Sequence, residues 1–484
     1  MPDTTMVRAG SAFRAWSRTG GTIPGWMIRH QTSELPIFTK RVDIKPYTEP
    51  QSLQSKQQKI ACSPYEEDDP QRRNSRRDRP GSLMRGRLVR AQHLRSRVYV
   101  ENVKLQENRK IPFNRSSLLG RELEYIFQTM SIGQIAGDQT YSKKCQALLE
   151  RTLGVHKALV TTSCTHALEI SALLLDIQAG DEVIVPSFAF VSTANAFALR
   201  GARIVFADVR PDTLNLDESK LEAIITPRTK AVVPIHYAGV GCEMDSIGDV
   251  ARRHGVKIIE DNAHGLFGKY RGKWLGTFGD FGVQSFHETK NITCGEGGAL
   301  LINDPAYVER AEIIREKGAN RSMFFRGQVD KYTWVDVGSS YVVSDVLAAF
   351  LFAQLEVWQS IQARRRRIWE RYAVELFDWS RIARVRLPIV PEHCEQAYHM
   401  FYLLLPSLAA RQALIGHLAA HGILAVFHYL PLHLSKFGLR YGGRAGDQPV
   451  TEDISDRLLR LPFFCALTEE EQTRVIEAVS EFKP

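Results

Sequence analysis

Lys290 is the single lysine of SFHETKNITCGEGGALLIND (Ser285–Asp304), a short polar loop between two apolar runs. A lysine enclosed in a pocket loses part of its amine basicity and becomes a nucleophile toward carbonyl groups. Other strand ends carry reactive residue types too. In TTSCTHALEISALL, Ser163, Cys164 and Thr165 fall where a strand gives way to a helix. Free N–H groups and the helix dipole there favour an anion such as phosphate, although an ordinary N-cap accounts for the same residues. Phe188 and Phe190, in PSFAFVSTANA, offer flat rings for stacking or for plain packing. IIEDNAHG ends a strand on Glu260 and Asp261, with His264 three residues on. A carboxylate at a buried strand end is costly unless it meets a cation. For Asp261 that cation is a structural Arg or Lys, or the protonated ring nitrogen of a cofactor. A phosphate cup, a stacking ring, a carboxylate for a pyridinium nitrogen and a carbonyl-capturing lysine are together what pyridoxal 5'-phosphate (PLP) requires of a protein.

The elements that must position these residues are short apolar, β-branched runs: KALVTTS (157–163), EVIVPS (182–187), RIVFADV (203–209), AVVPIHY (231–237), KIIEDN (257–262), FGVQSFH (281–287) and GALLIN (298–303). Nearly continuous hydrophobic strands separated by helical patterns predict an α/β layer whose mostly parallel sheet is covered on both faces. Such a sheet holds its ligand at the carboxyl edge. The last two runs lie too close together for a crossover helix, so that pair must be joined differently. A long helical pattern from Ser344 to about Phe377 then leads to a smaller C-terminal α/β domain. This divides the chain into a basic leader (1–110) expected to be disordered, a large domain (111–345), and a linking helix with the small domain (346–484).

Charge separates the leader from the rest. Of the formal +9, residues 1–110 carry a net +11, and residues 111–484 a net −2. The leader therefore invites a nucleic-acid-binding or scaffold reading, or a transit peptide, whereas the folded part does not. Salt-sensitive DNA binding that disappears with residues 1–110 would be its mark. Seven singly scattered cysteines fit reduced thiols in a cytoplasmic protein. No apolar run is long enough to span a membrane.

The segments VTTSCTHALEISALLLDI, GDEVIVPSFAFVSTANAFALRGA, HYAGVGCEMD, EDNAHG, SFHETKNITCGEGGALLIND and VFHYLPLH resemble the DegT/DnrJ/EryC1/StrS family of PLP-dependent nucleotide-sugar aminotransferases. The resemblance runs from Ile111 to Pro484 and implies a fold-type I (aspartate aminotransferase-like) homodimer with active sites at the interface. By position it makes Lys290 the catalytic lysine that holds PLP, Asp261 the partner of the pyridine nitrogen, and His264 a neighbour of the ring oxygen. Phe190 becomes the stacking aromatic, and Ser163, Cys164, Thr165 and Ser285 the phosphate cup. Within the family, Arg315–Asp345 looks most like the dTDP-4-amino-4,6-dideoxygalactose transaminases. The implied reaction moves the amino group of L-glutamate to the C4 keto group of dTDP-4-keto-6-deoxy-D-glucose. Another nucleotide-linked keto sugar, UDP-linked or 3-keto, is the runner-up. A sister branch that dehydrates sugars has histidine where this chain has Lys290. The chain departs from the family at Thr162, His166 and Ala189, and at GSSYVV (Gly338–Val343), where many relatives reach the neighbouring subunit's phosphate. Gly295, Gly297 and Gly298 are expected to leave room for ring and sugar, while His236, Tyr237, His428, Tyr429, Arg321 and Arg326 stay unassigned.

Overall fold

A computed structural model of the chain describes residues 110–483, and the expected leader lies outside the described residues except for Lys110. All seven apolar runs contribute strands, six of them slightly shorter than the run, whereas β4 starts two residues before its run and takes only Ala231 and Val232 from it: β1 (Lys157–Thr161), β2 (Glu182–Pro186), β3 (Arg203–Ala207), β4 (Thr229–Val232), β5 (Lys257–Asp261) and, after a small hairpin of β6 (Lys269–Tyr270) and β7 (Lys273–Trp274), β8 (Phe281–Ser285) and β9 (Gly298–Ile302). They make one seven-stranded sheet in the order β1-β9-β8-β5-β4-β2-β3. The β2–β3, β2–β4, β4–β5 and β5–β8 pairs are parallel. β9 runs antiparallel to both β1 and β8, which is how the closely spaced last pair is joined. Because β1 and β8 both oppose β9, they run the same way, and the carboxyl ends of β1, β2, β5 and β8 share one edge.

Alternation along the strands buries both faces. Ala158, Val160, Ala299 and Leu301 pack with Tyr141, Leu149 and Ala348, whereas Leu159, Leu300 and Ile302 pack with Leu168 and Ile170 on the opposite side. The covering helices include α1 (Glu122–Ser131), α2 (Thr140–Leu153), α3 (Cys164–Leu174) and α4 (Val191–Ala198). The pattern expected as one helix from Ser344 to about Phe377 is instead two, Asp345–Glu356 and Trp358–Glu375. Val357 leaves helical geometry between them (φ −111°, ψ 21°), and the break sets Trp358 flat on Phe267 with ring centroids 4.2 Å apart.

Toward the C-terminus, β10 (Cys394–Glu395) extends the hairpin of β6 and β7. A third sheet, also antiparallel, has the order β11-β13-β12, formed by β11 (Tyr402–Leu404), β12 (Val426–Phe427) and β13 (Leu458–Arg460). Phe401, Leu403, Leu414, Leu459, Val475 and Val479 form its core, and Ile111 joins them from the other end of the described chain. Backbone bonds fix that strap: Ile111 N–H donates to Gly422 O (2.8 Å), and Leu424 N–H donates to Ile111 O (2.9 Å). No described helix is long and apolar enough to cross a membrane. The six described cysteines are all unbridged.

Gly298 shows how tightly the site edge is built. It pairs with Thr161 on one side and Ser285 on the other. A Cβ there would lie 2.3 Å from the Ser163 carbonyl carbon and 2.4 Å from the Cys164 nitrogen. The expectation that this glycine leaves room for a ligand is corrected: the space is filled by the backbone of the β1–α3 turn. Both contacts are main chain and cannot rotate away. Gly298→Ala should therefore destabilise the fold by about 3 kcal/mol, the upper end of overpacking costs. Urea unfolding of the two proteins checks this, and an unchanged midpoint would refute it.

Candidate active site

All eight residues singled out for chemistry, Ser163, Cys164, Thr165, Phe190, Asp261, His264, Ser285 and Lys290, line one cavity of about 840 Å³ at the carboxyl edge of the large sheet. Lys290 sits in the β8–β9 connection. That loop is stiffened by Phe286 N–H donating to Gly297 O (2.8 Å), Cys294 N–H to Phe286 O (3.0 Å) and Lys290 N–H to His287 O (2.9 Å). Gly295 takes a left-handed turn (φ +87°) with open space beside it, a conformation cheap only for glycine. Next to the lysine, Asn291 donates to Ala397 O (2.6 Å) and pairs with His399 (2.8 Å), clamping the loop to the C-terminal segment. Enclosure by the cavity walls lowers the Lys290 amine to about 8, against the opposing influence of Cys164 and Asp261. A substantial fraction is thus neutral and nucleophilic near physiological pH.

Two neighbouring carboxylates on β5 have opposite fates. Glu260 is saturated, accepting from Gly276 N (2.8 Å), Phe278 N (2.6 Å) and Gly279 N (2.8 Å) and pairing with His236 Nε2 (2.9 Å). His236 therefore belongs to the core. Asp261 accepts only from Thr193 Oγ1 (2.7 Å) and Ala263 N (3.2 Å). Among the described residues no Arg or Lys pairs with it, so of the partners open to it a structural cation is not the one present. His264 lies flat on His399, with centroids 4.2 Å apart, and its Nδ1 is buried without a hydrogen-bond partner among the described residues. Burial holds His264, His399 and His428 well below the usual histidine range, so all three rings are neutral at pH 7.

The two phenylalanines separate cleanly. Phe188 is 1% exposed and packs on Tyr237, whereas Phe190, 58% exposed, opens onto the cavity at the head of α4. At the head of α3, Ser163 Oγ accepts from His166 N (3.1 Å), which is the N-cap arrangement, and Thr165 Oγ1 bonds Ser192 (2.8 Å). Thr162 and His166, the departures beside the cup, hydrogen-bond each other. Ala189 is buried with Ile235 and Leu432.

Tyr429 and His428 line the cavity, and Tyr237 is tied to His428 (OH to Nδ1, 2.7 Å). Tyr429 holds a left-handed backbone (φ 43°), and its hydroxyl is 3.4 Å from His264 Nε2. Such a conformation costs a non-glycine residue on the order of 1 kcal/mol. Arg321 and Arg326 do not reach the cavity: the first covers Phe325 and the second pairs with Glu312 (2.7 Å). Phe113, Thr193, His399 and Arg460 also line it, and sequence reasoning missed them. Thr193 stands in the quoted PSFAFVSTANA stretch but was passed over beside Phe190, whereas Phe113, His399 and Arg460 stand in no recognisable motif and arrive from segments distant in sequence.

The residues present fit PLP. Asp261 offers a carboxylate without a described cation, His264 an unsatisfied buried nitrogen, Phe190 an open ring, Lys290 an amine of depressed basicity, and α3 its N–H groups. The sheet topology and this edge define a fold-type I aminotransferase.

Comparison with known proteins bears this out. Residues 119–480 match the model of the DegT/DnrJ/EryC1/StrS aminotransferase family. The chain is 31% identical to the spore coat polysaccharide biosynthesis protein SpsC of Bacillus subtilis, over 78% of this chain and 98% of that protein. The aminotransferase TlmJ of Streptoalloteichus hindustanus superposes with a TM-score of 0.69 at 32% identity, covering 77% of this chain and 97% of its own. Spr1654 of Streptococcus pneumoniae, solved in PLP and PMP forms, superposes at 0.71 with 26% identity, covering 77% of this chain and up to 99% of its own. The chain belongs to the DegT/DnrJ/EryC1/StrS family of PLP-dependent sugar aminotransferases.

Only the neutral amine of Lys290 captures a carbonyl. When cofactor-free protein is mixed with PLP, the initial rate of yellow colour formation should rise with pH through a midpoint near 8 and then level off. Stopped-flow absorbance checks this; a midpoint near 10.5, the ordinary lysine value, would refute the depressed basicity.

Proposed function

We propose that the chain takes the amino group of L-glutamate and places it on C4 of dTDP-4-keto-6-deoxy-D-glucose, giving dTDP-4-amino-4,6-dideoxy-D-galactose, as a cytoplasmic homodimer. One observation carries the aminotransferase reading: Lys290, Asp261 and His264 converge on one cavity with their chemistry unspent on the protein itself. The sugar is supported by the likeness of Arg315–Asp345 to the dTDP-4-amino-4,6-dideoxygalactose transaminases. The similarity to SpsC favours, as a second reading, another nucleotide-linked keto sugar destined for a polysaccharide.

In this reading Asp261 holds a proton on the cofactor's ring nitrogen, steadied by Thr193, and His264 meets the ring oxygen. Ser163, Cys164, Thr165 and Ser285 receive the phosphate on either side of Gly298. Bound PLP supplies an electron sink for the pair released at the reacting carbon. Lys290 Nζ, once free, takes the proton from the donor's α-carbon and returns one to the sugar's C4 in the second half-reaction. A fixed base within reach converts this transfer into a short intramolecular step.

Purified wild type should be yellow, with a band that shifts on adding glutamate. Lys290→Ala should lose that band and at least roughly 10³-fold in kcat. A colourless wild type under ample PLP would sink the aminotransferase reading. With glutamate and dTDP-4-keto-6-deoxy-D-glucose, NMR should identify an axial C4 amine; an equatorial amine or no turnover would refute the galacto assignment.

A further inference from the structure

The small domain carries a side-chain cluster that the transfer reaction does not use. His417 and His421 stand four residues apart at the end of the helix Leu408–Ala420, so both rings leave it on the same side. Glu481 closes the helix Glu469–Glu481. One candidate donor atom from each of the three residues lies within 4.8 Å of the other two. None of them lines the active-site cavity.

Both rings are already oriented as ligands. His417 Nε2–H donates to Ala478 O (2.8 Å), and His421 Nδ1–H donates to His417 O (2.9 Å). In the neutral rings the remaining nitrogens, Nδ1 of His417 and Nε2 of His421, therefore keep a free lone pair. Metal-binding imidazoles are commonly fixed by a backbone carbonyl in this way. The ring centroids are 4.5 Å apart, and His421 Nε2 stands 4.0 Å from Glu481 Oε2. That gap is too long for a hydrogen bond and leaves room for an ion with bonds of about 2.0–2.2 Å. Glu481 pairs with no Arg or Lys among the described residues, and Arg474, on the same helix, reaches only the His421 carbonyl (3.4 Å).

The scaffold behind the cluster is firm. Leu414 and Leu418 of one helix share an apolar core with Val475, Ala478 and Val479 of the other. Just past Glu481, Phe482 O accepts from Trp379 Nε1 (2.9 Å), and the Phe482 ring lies 5.5 Å from that of His417. The donor set also selects the ion. Magnesium and calcium take oxygen ligands, whereas two imidazole nitrogens and a carboxylate suit zinc.

We propose that His417, His421 and Glu481 bind a zinc ion, with water in the fourth position, and that the ion fastens the C-terminal helix to the helix Leu408–Ala420. The site is independent of the PLP chemistry and of which sugar the enzyme takes.

Calorimetric titration of zinc chloride into the full-length, PLP-loaded protein, purified without a histidine tag, tests this. A saturable site in the wild type should weaken at least roughly 10-fold in His421→Gln and in Glu481→Gln, since even outer-shell changes cost metal sites that much. Magnesium chloride should give no such site. Zinc should also raise the wild-type thermal midpoint, because an ion held only by the folded state stabilises it, and the rise should be lost in both variants. Both substituted side chains are exposed, so without zinc the variants should unfold at the wild-type temperature. No saturable zinc site in the wild type, an isotherm unchanged in either variant, or equal binding of magnesium would overturn the proposal.

Discussion

The return of β9 between β1 and β8 is the constraint on which the site depends. Its antiparallel course forces the β8–β9 connection, with Lys290, onto the same edge as the β1–α3 turn, with Ser163 to Thr165. Parallel neighbours alone would have sent the chain across the sheet through a helix and placed the lysine loop elsewhere. Gly298 is where the two meet, main chain against main chain, with Thr161 and Ser285 on its flanks. Lysine and cup are therefore held by one contact that no side-chain motion can loosen.

Around that contact the protein leaves several polar groups unsatisfied. Glu260 collects every donor within reach, while Asp261, the next residue, has one hydroxyl and one amide; His264 Nδ1 and Arg460 Nε have none among the described residues. Each unpaired buried group costs on the order of 1–3 kcal/mol. The two layers of apolar packing on the large sheet and the separate apolar cluster around Phe401 and Val475 offset that cost. A ligand that hydrogen-bonds these groups recovers that cost on binding.

The large sheet was legible because most of its strands lie in nearly continuous apolar runs, a pattern typical of burial on both faces. The pocket residues were legible because they sit at the ends of those runs, next to the helix starts. What lay beyond reach came from contacts between distant segments. Thr193 looks like any residue of a small-residue helix, and only the fold puts its hydroxyl 2.7 Å from Asp261. His399 and Arg460 come from the C-terminal part and enter the pocket by packing, with no motif to announce them. The break at Val357 was hidden for the opposite reason: apolar periodicity continues across it, and the stacking of Trp358 on Phe267 decides the geometry. The glycines after Lys290 illustrate a right residue with the wrong reason, since Gly298 makes way for backbone rather than for ligand.

Phe113 and Asn114 lie before residue 119, where the match to the family model begins, yet both form part of the cavity wall. Asn114 Nδ2 donates to Glu288 O (3.0 Å), two residues from Lys290, and Phe113 carries the Arg460 guanidinium. The stretch that the family model covers is therefore shorter than the stretch that completes the pocket. This short segment hangs between Ile423 and the lysine loop, so its side chains reach the pocket wall while its backbone pairs with no strand of the large sheet.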